Sequence, residues 1–383
     1  APRCLGAGAC QPAGTGVAGM STAARSVAPA DRTAGGLATP GVQTAPWLQR
    51  QLGELLQQRG HAWLLQGPSG LGQYALAQAL AEAWLCDSPQ PDATACGHCE
   101  SCHAIAVRTH PDLCVLMPET QMLERGWPLD EKLQKELDDK KRKPSKEIRV
   151  EAMRDTIEFS QRTSSRGRGK VVVVYPAERM NPVTANALLK TLEEPPGDVR
   201  FVLASEAAHL LLPTIRSRCM THTMRWPTEQ ESLAWLQLQG LAEVDAAGLL
   251  HAAGGRPDDA LAWHRAGMTA RTWQALPEAA RAGQVQPFAQ LSPAQVIGVL
   301  QKLCHDALSV RGGGTPRFFD AAALPAATAL PDWRRLTQWG KDLAQDLRSA
   351  EHPYQPGLFL EDLVGKAAQV LRGTGRPAAR STR

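Results

Sequence analysis

Apolar positions change period along the chain, and the changes outline its elements. Ala62-Trp63-Leu64-Leu65 is a short unbroken apolar run, suited to a strand covered on both faces. Ala75-Leu76-Ala77-Gln78-Ala79-Leu80 follows at helical spacing, so this stretch reads strand, loop, helix. Gly169-Lys170-Val171-Val172-Val173-Val174-Tyr175 is a β-branched run that predicts a central parallel strand. Asp112-Leu113-Cys114-Val115-Leu116 predicts a buried strand, and Arg200-Phe201-Val202-Leu203-Ala204 another. Later segments read as helical. Ser292-Pro293 forms an N-cap and first-turn proline ahead of Val296, Val299, Leu300 and Leu303. Gly254-Gly255 predicts a helix C-cap, with a new helix from about Pro257. A last helix opens near Pro356, with Leu358, Phe359, Leu363, Val364, Ala367 and Val370 apolar.

The 383 residues correspond to two or three domains at roughly 150 residues each. Residues 1–44 are rich in Ala, Gly, Thr and Pro and lack the apolar block of a secretory signal. They read as a disordered extension, with Met20 a candidate start, and residues 373–383 as a disordered tail. A net charge of +4 permits contact with nucleic acid without arguing for it. No apolar run is long enough for a membrane span. Residues 118–147, with the charge run Asp138 to Lys143, read as a solvated insertion, DNA contact being the sharper alternative. The basic turn Ser164 to Lys170 needs no nucleic acid to explain it.

Two patterns carry candidate chemistry. Gly67-Pro68-Ser69-Gly70-Leu71-Gly72-Gln73-Tyr74 has the frame of a phosphate-binding P-loop in the right context. Gln73 replaces the lysine that reaches the phosphates, and Tyr74 replaces the hydroxyl that holds magnesium. At the end of the 169–175 run, Tyr175 and Pro176 stand where an ATPase carries its acidic pair. Glu178 is a weaker candidate for a base. The second pattern is Cys86, Cys96, Cys99 and Cys102, spaced C-x9-C-x2-C-x2-C. Thiolates so spaced on a short loop reach a tetrahedral zinc, and four of them leave no open position for an activated water. The expected zinc is therefore structural. Free or disulfide-bonded thiols are the competing reading; His98, His103 and His110 lie near enough to substitute as ligands.

The run Asn186-Ala187-Leu188-Leu189-Lys190-Thr191-Leu192-Glu193-Glu194-Pro195-Pro196, with Leu212-Pro213-Thr214-Ile215-Arg216-Ser217-Arg218-Cys219, identifies a family. With the cysteines and the altered P-loop, it closely resembles the delta-prime family of bacterial DNA polymerase III clamp loaders, AAA+ proteins, from about Pro46 to Trp226. The resemblance implies a zinc-bearing α/β AAA+ core with a parallel sheet over 45–223, the zinc module at 86–102. It implies a small helical lid over 224–275 and an all-helical collar over 285–372. Arg218, flanked by Ser217 and Cys219, would be an arginine finger acting in trans on ATP held by a neighbouring motor subunit. The bland alternative is that Arg218 pairs with a carboxylate of its own domain. Ser205-Glu206 falls at the sensor position. Asp258 falls where active relatives carry a lid arginine, with Arg256 one or two residues away. The implied role is that of a cytoplasmic, non-hydrolysing clamp-loader subunit with no ATP of its own (degenerate Gly67, Gly72, Gln73 and Tyr74) and no intrinsic ATPase, within a DNA-directed DNA polymerase holoenzyme. Its implied partners are motor subunits, a delta-type subunit and, through the complex, the sliding clamp and primed DNA. An active motor subunit and a zinc-dependent DNA-binding protein are the alternatives.

Overall fold

The computed structural model describes residues 45–139, 141–350 and 355–372. The expected extension over 1–44 and tail over 373–383 lie outside the described residues. In the N-terminal part, α1 (Pro46–Leu56), β1 (Ala62–Gln66), α2 (Gln73–Leu85) and α3 (Glu100–Ala106) lead to β2 (Leu113–Leu116). Next come α4 (Glu119–Glu124), α5 (Glu131–Asp138), α6 (Val150–Gln161) and β3 (Lys170–Val174). The sheet is completed around α7 (Pro182–Glu193), β4 (Val199–Ser205), α8 (Pro213–Arg216) and β5 (Met220–Thr223). All strand pairs are parallel, in the order β2-β3-β4-β1-β5.

Strand alternation sorts the apolar residues into two layers, because successive side chains point to opposite faces. Trp63, Leu65, Val171, Val173, Val202 and Ala204 pack with α1 and α2. Leu64, Val172, Val174, Phe201 and Leu203 pack with Met153 of α6 and with Leu188 and Leu192 of α7. The expected α/β core is present. One strand departs from its prediction: β2 is the sheet edge and half-buried apart from Leu116, so only one neighbour protects it. Cys114 on it packs on the α6 side, with its Sγ 3.6 Å from the Thr156 hydroxyl. Residues 118–147 also differ from the solvated loop expected of them. Glu119 at the start of α4 is buried, accepts from Arg142 Nη1 at 2.7 Å and Nη2 at 2.9 Å, and accepts from Ser145 N at 2.8 Å. Those bonds close the base of the insertion, and Asp139 pairs with Lys141.

Beyond the sheet, α9 (Glu229–Leu238), α10 (Glu243–Ala252) and α11 (Pro257–Arg265) enclose Leu236, Leu249, Leu250 and Leu261. Gly254 and Gly255, at φ 68° and 85°, supply the left-handed turn after α10. A further group comprises α12 (Ala270–Ala282), α13 (Pro293–Arg311), α14 (Trp333–Ser349) and α15 (Pro356–Leu371). Its core includes Trp273, Leu300, Leu303, Leu336, Trp339 and Val364. The predicted cap is present, since Ser292 accepts from Gln295 N. Helix α14 went unpredicted, although Leu336, Trp339 and Leu343 are buried at helical spacing after the N-cap Asp332. At the joint between the two groups, Lys302 of α13 donates to Ala252 O at 2.8 Å. Its ammonium lies 3.9 Å from the Trp263 ring centroid; Trp263 and Trp273 stack at 4.6 Å and 19°. Burial among these rings lowers the Lys302 amine to about 7. No helix among the described residues is long and apolar enough to cross a membrane.

Candidate functional site

The four cysteines converge from three local elements. Cys86 closes α2, Cys96 lies on the following loop, Cys99 caps α3 and Cys102 sits in its first turn. Their Sγ atoms all lie within 4.8 Å of one another. Cys86 is 3.8 Å from Cys99 and 3.7 Å from Cys102, and Cys96 is 4.0 Å from Cys102. Four sulfurs around zinc at about 2.3 Å would stand roughly 3.8 Å apart, whereas a disulfide needs about 2.05 Å. The donor set thus fits a metal and not a disulfide. Backbone N–H groups point at the sulfurs, from Cys96 to Cys86, Cys99 to Cys96 and Cys102 to Cys99. Such donors stabilise thiolate charge. The backbone N–H of His98 leads in holding the Cys96 thiol down at about 6, while desolvation pushes Cys86 up.

None of the three histidines joins the cluster. His98 Nδ1 lies 2.8 Å from Cys96 O; His110 is buried with Nε2 3.2 Å from Ser101 Oγ. A residue that sequence reasoning missed ties the module to the sheet. Asp112 is fully buried and accepts from Ser164 Oγ, Ser165 N and Arg166 N at 2.8–3.0 Å, with Lys170 Nζ 3.4 Å away. Desolvation works to raise its carboxyl, but the Ser165 and Arg166 N–H groups and their neighbours outweigh it and the net shift is downward. Arg166 in turn pairs with Asp87 and Glu100 beside the cysteines. The basic turn at 164–170 therefore faces protein carboxylates. Its signal was an acidic residue just before a strand, ambiguous without the fold.

The altered P-loop follows β1 and opens α2. Gln73 is buried, and its Nε2 donates back to Gly67 O at 2.9 Å and Pro68 O at 2.6 Å. A lysine would extend outward; this amide closes on its own loop. Tyr74 is buried with its ring 5.1 Å from that of Tyr175. The surroundings narrow the space further: a Cβ at Gly70 would lie 2.6 Å from the Asp259 carboxyl carbon. Asp258 N donates to Gly70 O at 3.2 Å, Ser69 Oγ donates to Asp259 at 3.1 Å, and Arg256 pairs with Asp259 at 2.7 Å. Arg256 therefore faces a carboxylate. Glu178 is no free base, because it accepts from Ser205 Oγ at 2.7 Å and from Glu206 N. That bond also accounts for Ser205, which lies buried at the end of β4.

Arg218 lies after α8, remote in sequence from the loop and near the surface. Its Nε donates to Glu193 Oε1 at 2.6 Å, Nη2 reaches the same oxygen, and Nη1 donates to Thr214 O at 2.8 Å. Within the single chain, the pairing with a carboxylate of the same unit is what the structure contains. Both side chains remain substantially exposed, 30% and 48%, and exposed pairs contribute only about 0–1 kcal/mol. Ser217 donates to Thr214 O at 3.1 Å and ends α8; Cys219 is half-buried, and burial pushes its thiol up to about 12.

The matching family model is described as DNA polymerase III, delta subunit, and covers residues 46–227. DNA polymerase III subunit delta' of Pseudomonas aeruginosa is 41% identical over 193 residues, 50% of this chain and 52% of that protein. The Escherichia coli K12 subunit delta' is 35% identical over 223 residues, 57% of this chain and 60% of that protein. The chain thus matches little more than half the length of these relatives. Among solved structures, a DNA polymerase III, gamma subunit-related protein from Thermotoga maritima aligns at a TM-score of 0.43 and 17% identity, covering 85% of this chain and 100% of that one. Over residues 46–227, which hold the P-loop frame, the four cysteines and Arg218, this chain matches that family model and is similar to DNA polymerase III delta' subunits.

Proposed function

We propose that this chain is a clamp-loader subunit that hydrolyses no ATP itself and offers Arg218 to a nucleotide held by a neighbouring subunit. In this reading it works in the cytoplasm with motor subunits and a delta-type subunit to place a sliding clamp on primed DNA. The observation that carries it is the inward turn of the side chains at the ATPase positions. Gln73 bonds its own loop, while Tyr74 and Tyr175 pack on each other. Neither the phosphate-reaching cation nor a magnesium-holding oxygen pair is available. The sheet over 45–223 would be the AAA+ core, 224–275 the lid and 285–372 the collar.

A planar, permanently charged guanidinium suits charge that develops on a transferring phosphoryl group. Arg218 meets that need if its exposed contact with Glu193 is exchanged for phosphate at assembly. Zinc, held by Cys86, Cys96, Cys99 and Cys102, would supply no chemistry beyond cross-linking the loop, since four thiolates fill its coordination shell. Against a DNA-binding role for this module stand Asp87 and Glu100, which already pair with Arg166.

The test is reconstitution with candidate motor subunits. Arg218→Ala should assemble normally yet lower the DNA-stimulated ATPase of the complex, by less than the roughly 10³-fold a dominant finger can supply, because other sites keep their own fingers. Arg218→Lys should be nearly as damaging, as an ammonium lacks the planar fork. Full assembly with unchanged ATP turnover and clamp loading would make Arg218 a structural arginine.

A further inference from the structure

Tyr74 stands where a P-loop hydroxyl would hold magnesium, and Tyr175 where the strand-end acid would. Beside both rings, which pack on each other, lies a cation from elsewhere in the chain. Arg125, just after α4, has its guanidinium carbon 4.5 Å from the Tyr74 centroid and 5.0 Å from that of Tyr175. Its Nη2 is 3.4 Å from the Tyr175 hydroxyl, which donates to Glu206 at 2.6 Å. Trp127 adds a second fastening, donating from Nε1 to the Tyr74 hydroxyl at 2.8 Å. Arg108 covers the Trp127 ring at 5.5 Å and donates to Gly126 O. The loop itself meets carboxyl groups: Asp259 against Ser69 and Gly70, and Asp258, whose Oδ2 would lie 3.4 Å from a Cβ at Gly72. Burial raises the Asp258 and Glu206 carboxyls, and Arg125 lies close enough to oppose both rises.

We propose that this cleft has a built-in occupant: the Arg125 guanidinium takes the place of the metal beside the Tyr74 and Tyr175 rings, while the Asp258 and Asp259 carboxyls take the place of phosphate against Ser69–Gly72. Segment 119–127 then acts as a clasp that fastens α11 and its neighbours to the sheet. Three separate stretches of chain meet there, and none of the contacts is needed by the arginine finger. A guanidinium is well matched to the position, being weakly hydrated and able to stack on two aromatic faces while keeping its charge. The Glu119 contacts with Arg142 and Ser145 hold the other end of the insertion, so the clasp is anchored at both ends. The inference rests on the proposed function in one respect, the absence of nucleotide from this cleft.

Hydrogen exchange on the full chain, read peptide by peptide, tests it. Arg125→Ala should speed exchange in peptides covering 68–74 and 256–261 by about tenfold or more, as expected for local opening, while β3 and α13 keep wild-type rates. Asp258→Asn with Asp259→Asn should return the signal from the other side, as faster exchange in 119–127. Arg125→Lys retains charge and loses the planar stack, and should give an intermediate effect on 256–261. Unchanged exchange at 256–261 in Arg125→Ala would overturn the clasp. So would a uniform rise across every peptide in Arg125→Lys, which would make Arg125 a general packing residue. The measurement uses neither ATP nor partners, so its failure is separate from failure of the Arg218 test.

Discussion

At the residue scale, the most demanding position is Asp112. Its carboxylate is fully buried, three donors from 164–166 converge on it, and Lys170 beside it is also buried. Asp112→Ala would leave a buried ammonium without its counter-charge, a loss of about 3–5 kcal/mol. Urea unfolding should register it as a lower midpoint. The folded state holds this carboxyl below its ordinary range, so its contribution is present above the unfolded value near 4 and is lost as pH falls. The stability difference between wild type and Asp112→Ala should accordingly shrink toward acid pH. None of this was legible beforehand, because a lone aspartate before a strand looks the same whether solvated or enclosed. Gln73 and Tyr74 were legible, since the P-loop frame fixes which side chains it requires; where those side chains turn was not.

Among the elements, the cysteine module was the clearest from sequence, because short spacing alone brings thiols together whatever the fold. Cys99→Ser should remove one thiolate ligand while its hydroxyl can still cap α3. A destabilisation of about 2–3 kcal/mol would lower Tm by roughly 5–10 °C in a unit of this size. Elemental analysis should give about one zinc per wild-type chain and much less in the variant. Clamp loading lost selectively in a Cys99→Ser protein of unchanged Tm would contradict a structural metal. The strands β1, β3 and β4 were legible as apolar runs, whereas β2 was misjudged because an edge strand and a central one share the same run of residues. Helix α4 was hidden for a different reason. Its face is set by Glu119 and Arg142, 23 residues apart, and a charge pattern does not disclose a buried pair.

On the scale of the whole molecule, titration links the helical half to the sheet. Burial first, and Asp259 after it, push the Asp258 carboxyl up to about 7. Arg125 and Arg265 oppose that rise, and Glu206 adds to it. A raised carboxyl stabilises the folded arrangement fully below the unfolded value near 4 and loses that contribution as pH climbs through 7. Exchange at 256–261, corrected for its intrinsic pH dependence, should therefore accelerate between about pH 4 and 7 and level off above. In Asp258→Asn that excess acceleration should vanish. The division into a sheet half and a helical half was visible from the change in period, but the contacts between halves depend on single residues such as Asp258 and Asp259.

The paired indoles at the α10–α13 joint have an optical consequence. Trp263 and Trp273 stack with centroids 4.6 Å apart and planes nearly parallel, with Phe319 stacked on the second at 4.9 Å. Two identical chromophores so close share their excited states, and the asymmetry of their surroundings gives the shared transition a circular dichroism couplet. The Lys302 amine, lowered to about 7, lies 3.9 Å from the Trp263 ring centroid, so emission from the pair should change as pH passes through 7. The molecule thus carries an intrinsic spectroscopic gauge of whether its two helical groups remain in register, readable without any label.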